Sequence, residues 1–272
     1  MNALTGLRNI RWGLVAGGGA GLLLGALALV SLVWVPFPLA GPPLSPLSEP
    51  GGPHLLGTDQ AGRDMVSLLM SAALSSLAVA GFGTLIALLV GLPAGALAAA
   101  RLGACPQPAR VSALMLAPAL VVAMLLAALG SAGPGIAILA VAIPGAVASA
   151  FSVWGPVDAL LGRDYVAAAR IAGLTALPAM QRHVLPALLP LVAALGLELF
   201  AAAILIEASL GFLGLAAGTG GTGLGVMLRE AQGFMQIRPL LAIAPGVTIV
   251  TLIVALQLAA RGLRQGIDGS PA

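Results

Sequence analysis

Six stretches of the chain carry almost no charge, and they constrain the fold more than any other feature. Residues 13–35, 74–100, 111–129, 136–154, 187–207 and 239–260 are built mainly from Leu, Ala, Val, Gly and Ile. About 20 apolar residues at ~1.5 Å each span the hydrocarbon core of a bilayer as a helix. The period-2 alternation of a membrane barrel is absent. Only 8% of the 272 residues are charged and 60% are hydrophobic, whereas soluble domains are roughly a quarter charged. The expected fold class is an all-α integral membrane protein with six transmembrane helices. The run at 13–35 is longer than a signal-peptide core and has no small-residue cleavage pattern, so it reads as a retained span.

Arginine placement orients these spans. The chain has no lysine, so all 12 basic residues are arginine. With the N-terminus inside, nine arginines lie on the inner side: Arg8, Arg11, Arg101, Arg110, Arg163, Arg170, Arg182, Arg261 and Arg264. Arg63, Arg229 and Arg238 lie on the outer side. That bias predicts cytoplasmic N- and C-termini. The net charge of +3 is small and gives no argument for a nucleic-acid partner. Cys105 is the single cysteine, which excludes an intrachain disulfide and a cysteine metal cluster. A phosphate-binding P-loop needs a lysine, so the chain is not itself such an ATPase. No spacing of Ser, His and carboxylate suggests a hydrolase, no metal site is expected, and the chain is not expected to be an enzyme.

Two polar islands interrupt the apolar pattern. The first, 163–186, falls between the fourth and fifth spans. Asp164 suits a helix N-cap and Gly173 a helix end; a second short helix fits 177–184, with Pro178 in its first turn. Two short helices on a membrane face form either a solvated connection or a protrusion that fits a groove in a partner. The second island, His54-Leu55-Leu56-Gly57-Thr58-Asp59-Gln60-Ala61-Gly62-Arg63-Asp64, follows a Pro/Gly/Ser-rich stretch at 36–53 and leads into the second span. Thr58 or Asp59 is a candidate helix cap. A lone His54 reads as a hydrogen-bonding loop residue rather than a metal ligand. Gly17, Gly21 and Gly25 fall at four-residue spacing and permit close helix approach in the first span.

Both islands resemble one family. The first, with Asp164, Tyr165, Ala167, Ala168, Ala169, Arg170, Gly173, Arg182, His183, Leu185 and Pro186, is similar to the coupling loop of ABC-importer permeases, in the peptide and nickel branch. The family's glutamate is Ala167 here, which removes the ionic group and leaves the loop spacing. The second is similar to that branch's His-x-Leu-Gly-Thr-Asp-x-x-Gly-Arg-Asp pattern, through His54, Gly57, Thr58, Asp59, Gly62, Arg63 and Asp64. Glu207-Ala208-Ser209-Leu210-Gly211-Phe212-Leu213-Gly214 and Gly225, Met227, Leu228 and Glu230 add further matches. In the tail, Gln265 and Gly269 replace the family's aspartate and proline.

The resemblance implies the second (C-type) permease subunit of a binding-protein-dependent importer. The implied core is a five-helix, type I ABC-importer permease preceded by one extra span. The corresponding organisation is a cytoplasmic N-terminus and first span (1–35), an external segment (36–73), the permease domain (74–264) and a tail (265–272). Implied partners are a homologous permease, two ATP-binding cassette ATPases and an extracytoplasmic binding protein, with ATP and Mg in the ATPases and no cofactor in this chain. The implied location is the bacterial inner membrane. Di- or oligopeptides are the default cargo, and nickel or a metal–chelator complex is the alternative.

Two carboxylates lie in the fifth span, where an ionisable group is costly and points to function. Glu198 and Glu207 are nine residues apart, about two and a half turns at ~100° per residue, so they face opposite sides. Glu198 is read as a pathway residue for a cationic ligand or as a carboxylate paired to a neighbouring helix. Glu207, nearer the outer surface, is the second candidate pathway residue and reads alternatively as a cap or structural pair. Proton-driven secondary transport through Glu198 and a non-transporting scaffold are the rival readings from other classes.

Overall fold

The structure is a computed structural model, and it describes residues 19, 25–38, 45–103, 121–122, 124–126, 133–162, 185–215 and 222–268. Among these residues it is helical, with no strand. The four long helices are α1 (Met65–Leu102), α2 (Pro134–Leu161), α3 (Leu185–Phe212) and α5 (Leu240–Asp268). A short helix, α4 (Leu224–Ala231), and a 3-10 turn (Gln232–Phe234) separate α3 from α5. All four long helices are long and apolar enough to cross a membrane. Helices are required there because the hydrocarbon core offers the backbone no other hydrogen-bonding partner. Residues 25–30 are also helical, as are 121–122 and 124–126 in the third expected span.

The helices outrun the hydropathy spans. α1 has 38 residues, about 57 Å at ~1.5 Å per residue, well beyond a ~30 Å core. It starts at Met65 rather than near 74, inside the expected external segment. Its cap is Asp64, neither Thr58 nor Asp59: the Asp64 carboxylate accepts from Ser67 N at 2.9 Å. Hydropathy fails here because helix ends in the polar interface look like loops. Likewise α3 runs on to Phe212, and the glycine-rich segment expected at 208–238 contains α4. Pro93, Pro144, Pro156, Pro190 and Pro245 all lie inside helices. Neighbouring helices make such prolines tolerable in a membrane.

Small residues set the packing. Facing pairs along α1 and α2 are Gly83 with Val141, Gly145 with Ala87, Gly91 with Ala146 and Ser149, and Gly95 with Ala150. The numbers rise together, so α1 and α2 run parallel. Ser149 Oγ crosses the seam to donate to Ala87 O at 3.0 Å. Lipid tails are as apolar as the helices, so close approach of small residues supplies the attraction. Of the stripe at Gly17, Gly21 and Gly25, a Cβ on Gly25 would meet nothing within 4 Å among the described residues, and Gly17 and Gly21 lie outside them.

α3 packs antiparallel to α1, with Gly81 against Phe200 and Gly196 against Leu88. It is also antiparallel to α5, since Leu205–Phe212 pack near Gly246–Val250 while Glu198 meets Arg264. One face of the molecule therefore holds Met65, Pro134, Phe212, α4 and Leu240. The other holds Leu102, Leu161, Leu185 and Arg264. Buried clusters fill both ends: Met65, Leu68, Ile204, Leu224 and Leu252 at the first, and Ala99, Val153, Val157, Leu188 and Leu195 at the second.

Candidate functional site

The motif at 54–64 folds into a knot at the head of α1. Gly57 has φ +77°, and a Cβ there would collide with Ser48 O, so glycine is required. Thr58 is buried; its hydroxyl donates to Ser45 O at 2.7 Å and accepts from Ser48 N at 2.9 Å. Asp59 Oδ1 accepts from Ala61 N at 2.8 Å and Arg63 N at 2.7 Å, and its Oδ2 accepts from Arg63 Nε at 2.7 Å. Gly62 closes that turn at φ +73°. Asp64 holds His54 Nδ1 at 2.9 Å through Oδ1, and both the amide and the hydroxyl of Ser67 through Oδ2. His54 lies against Phe37, with ring centroids 4.4 Å apart. The motif thus spends most of its polar groups on itself. The surplus reaches across the face: Arg63 Nη2 stands 3.7 Å from Glu230 Oε2 on α4. Arg238 Nη1 bonds Glu49 Oε1 at 2.9 Å, and its Nε donates to Leu47 O at 3.1 Å.

On the same face, α4 sits against the end of α3 because two glycines remove the obstacle. A Cβ on Gly225 would collide with Ala208 O, and one on Gly211 would stand 3.1 Å from Val226 N. The N-terminus of α4 has no side-chain cap of its own. Leu224 N donates instead to Ser76 Oγ of α1 at 3.1 Å. Glu207 is buried beside it, with Oε1 3.1 Å from where a Gly223 Cβ would stand. A carboxylate suits the positive end of a helix. Glu207 Oε2 has no hydrogen-bond partner among the described residues. Glu207 faces α1 and α4 here, whereas Glu198 faces another way.

Glu198 lies on the wall of a cleft between α1, α2 and α3. The cleft has a volume of about 220 Å³, and its polar lining residues are Thr84, Ser152 and Glu198. Residues 195, 198, 199, 202, 203 and 206 of α3 line it, the spacing of one helix face. Glu198 Oε2 also accepts from Arg264 Nη2 of α5 at 2.6 Å. Glu198 is thus paired to a neighbouring helix and also stands on a cleft.

Asp164, Tyr165, Ala167, Ala168, Ala169, Arg170, Gly173, Arg182 and His183 lie outside the described residues, and Leu185 and Pro186 begin α3. The described ends that flank the stretch, Leu161 and Leu185, are on the Arg264 face. Among the described residues no group of three His, Cys, Asp or Glu side chains could hold a metal ion. Sequence reasoning missed Ser76, the Arg264 pairing and the α1–α2 seam. The four-residue spacing of Gly83, Ala87, Gly91 and Gly95 was the available signal for the last.

No family model matches the chain. The di/tripeptide transport system permease protein of Pseudomonas aeruginosa is 36% identical over 223 residues, covering 79% of this chain and 71% of the relative. A dipeptide transport system permease protein of Haemophilus influenzae is 34% identical, covering 81% of this chain and 76% of the relative. The nickel transport system permease protein of Escherichia coli is 29% identical over 90% of each chain. This chain belongs to the peptide and nickel ABC-transporter permeases. The permease is accordingly a multi-pass membrane protein and a transport subunit rather than an enzyme. The stretches at 54–64 and 207–230, two of those that resemble the family, meet on one face. Membership in this family also removes the ground for proton-driven secondary transport and for a non-transporting scaffold.

Proposed function

We propose that this permease is the second membrane subunit of an ATP-driven, binding-protein-dependent importer of di- or oligopeptides in the bacterial inner membrane. It would form the translocation pathway with a homologous permease. Two cassette ATPases would bind ATP and Mg on the cytoplasmic side, and an extracytoplasmic binding protein would deliver cargo. The observation that carries the cargo class is the similarity to di/tripeptide and dipeptide permeases over about four-fifths of the chain.

In this reading both termini are cytoplasmic, and the stretch 164–186 couples the ATPases to the spans. ATP binding must favour one of two arrangements of the helices, since a ligand shifts an equilibrium only by its differential affinity. The knot at 45–64, tied to α4 and Arg238, would move as one external body. Glu198 would line the pathway. A second cargo, nickel or a metal–chelator complex, is supported by the nickel permease matched over nine-tenths of the chain. A metal would then be cargo rather than a resident cofactor.

The test is co-expression with the neighbouring genes, followed by purification. Co-purifying ATPases whose hydrolysis is stimulated by the binding protein in wild type, and not in Gly173→Pro, are expected. Accumulation of a labelled tripeptide in proteoliposomes then assigns the cargo. Uptake without any ATPase would refute the proposal.

A further inference from the structure

The cleft between α1, α2 and α3 has a charged floor that neither family motif includes. Among the described residues Glu198 is the one charged residue on its lining. The antiparallel packing of α3 against α5 puts this carboxylate toward the end of the cleft nearer Arg264. The remaining polar lining is two uncharged hydroxyls. The Ser152 hydroxyl is spent on Ala148 O at 2.8 Å, and Thr84 Oγ1 is buried with no partner among the described residues.

The contact that neutralises Glu198 is poorly suited to be permanent. An arginine–carboxylate pair is strongest when two N–H groups meet both oxygens. Here one contact is made, Nη2 to Oε2 at 2.6 Å. The side chains remain 45% exposed for Arg264 and 30% exposed for Glu198, so neither is enclosed by the described helices. Yet a carboxylate within a span needs a cationic partner at all times. A single carboxylate held through one oxygen by one guanidinium, on the wall of a cleft, is a site for cation exchange. An ammonium group fits it well, because it is compact and carries three donors.

We propose that Glu198 binds the primary ammonium group of the transported peptide, which displaces Arg264, and that Arg264 reseals the carboxylate when the cleft empties. This rests on the peptide-import reading above. The pair then serves two purposes: it selects cargo with a free amino terminus, and it keeps the carboxylate neutralised between turnovers.

The test uses the complete importer in proteoliposomes, with uptake of trialanine compared with N-acetyl-trialanine at limiting concentration. Each rate is divided by the peptide's affinity for the binding protein, so that discrimination by the membrane subunits alone is read. Glu198→Gln is expected to lower normalised trialanine uptake about tenfold, the loss of one charge-assisted contact, and to leave the acetylated peptide within about twofold. Arg264→Gln, which frees the carboxylate, should keep or raise the preference for trialanine. Reversing the pair with Glu198→Arg and Arg264→Glu together should not restore trialanine uptake, because position 198 would then repel the ammonium group.

An equal fall for both peptides in Glu198→Gln would overturn the proposal, as would recovery in the reversed pair, since a purely structural bridge tolerates reversal. If wild-type importer accumulates neither peptide although binding protein stimulates its ATPase, peptide cargo itself is refuted and the subsite falls with it. If wild type accumulates trialanine and the variants do not discriminate, only the subsite falls.

Discussion

Replacing Gly91 by alanine tests whether the α1–α2 seam is set by the absence of side chains. A Cβ at Gly91 would collide with Ala146 O and Ser149 Oγ and lie 3.0 Å from Ala146 C. Ala146 O is backbone and cannot rotate away. Gly83 gives the scale of a milder case. There the added Cβ would stand 2.7 Å from Val141 Cγ1, against 3.4 Å for ordinary contact, a deficit of 0.7 Å (3.4 − 2.7). Overpacking typically costs about 1–3 kcal/mol, and a rigid obstacle belongs at the upper end. Separating the helices also strains the bond from Ser149 to Ala87 O at 3.0 Å, worth about 1 kcal/mol. Alanine gains back about 1 kcal/mol in helix propensity over glycine. The expected net loss is therefore about 2–3 kcal/mol.

Gly155 supplies the control, since it lies in α2 and a Cβ there would meet nothing within 4 Å. Gly155→Ala should be neutral or stabilising by up to about 1 kcal/mol. Denaturant titration of the purified permease in mixed micelles measures both variants. Trp154 fluorescence reports on the same seam, because its Nε1 donates to Gly103 O at the end of α1 at 2.8 Å. If the two variants unfold within about 0.5 kcal/mol of one another, the ordinary scatter of neutral substitutions, the seam is not glycine-determined and the packing argument fails.

Other outcomes follow from the face that holds Met65 and α4. Gly57→Ala should destabilise the knot by at least about 1–2 kcal/mol, from the positive φ and the collision with Ser48 O, and limited proteolysis should then cut within 45–64. Asp64→Ala removes the cap of α1 and the partner of His54 and should cost about 1–2 kcal/mol in thermal unfolding; Asp64→Asn, which still caps, should cost less. Glu49→Gln breaks an exposed pair with Arg238 and should change stability by less than about 1 kcal/mol, an effect that vanishes in high salt. A larger, salt-independent loss would mean that Arg238 anchors the knot through more than this pair.

Much of this permease was legible before any coordinates. Long uncharged runs left no fold but membrane helices, because no other element satisfies its own backbone in lipid. The motif at 54–64 could be located by its residues, whereas the positive φ of Gly57 and Gly62 came from the structure. What hydropathy could not supply was where the helices stop. α1 gains its first turns from Asp64 and Ser67, polar residues that a hydropathy window discards.

The sequence by itself determined the class, the approximate position of the four long described helices and the polar stretch at 54–64. It also determined that Glu198 and Glu207 diverge, since helix pitch fixes their angle. Only the tertiary structure decided their partners. Arg264 is 66 residues from Glu198 and Ser76 is 148 residues from Leu224, and no local rule relates such positions. The same holds for the glycine seam, where a Cβ on Gly83, Gly91 or Gly95 would meet a neighbour and one on Gly25 would meet none among the described residues. Glycine is abundant along the whole chain, and its meaning depends on whether another backbone comes within a methyl's reach.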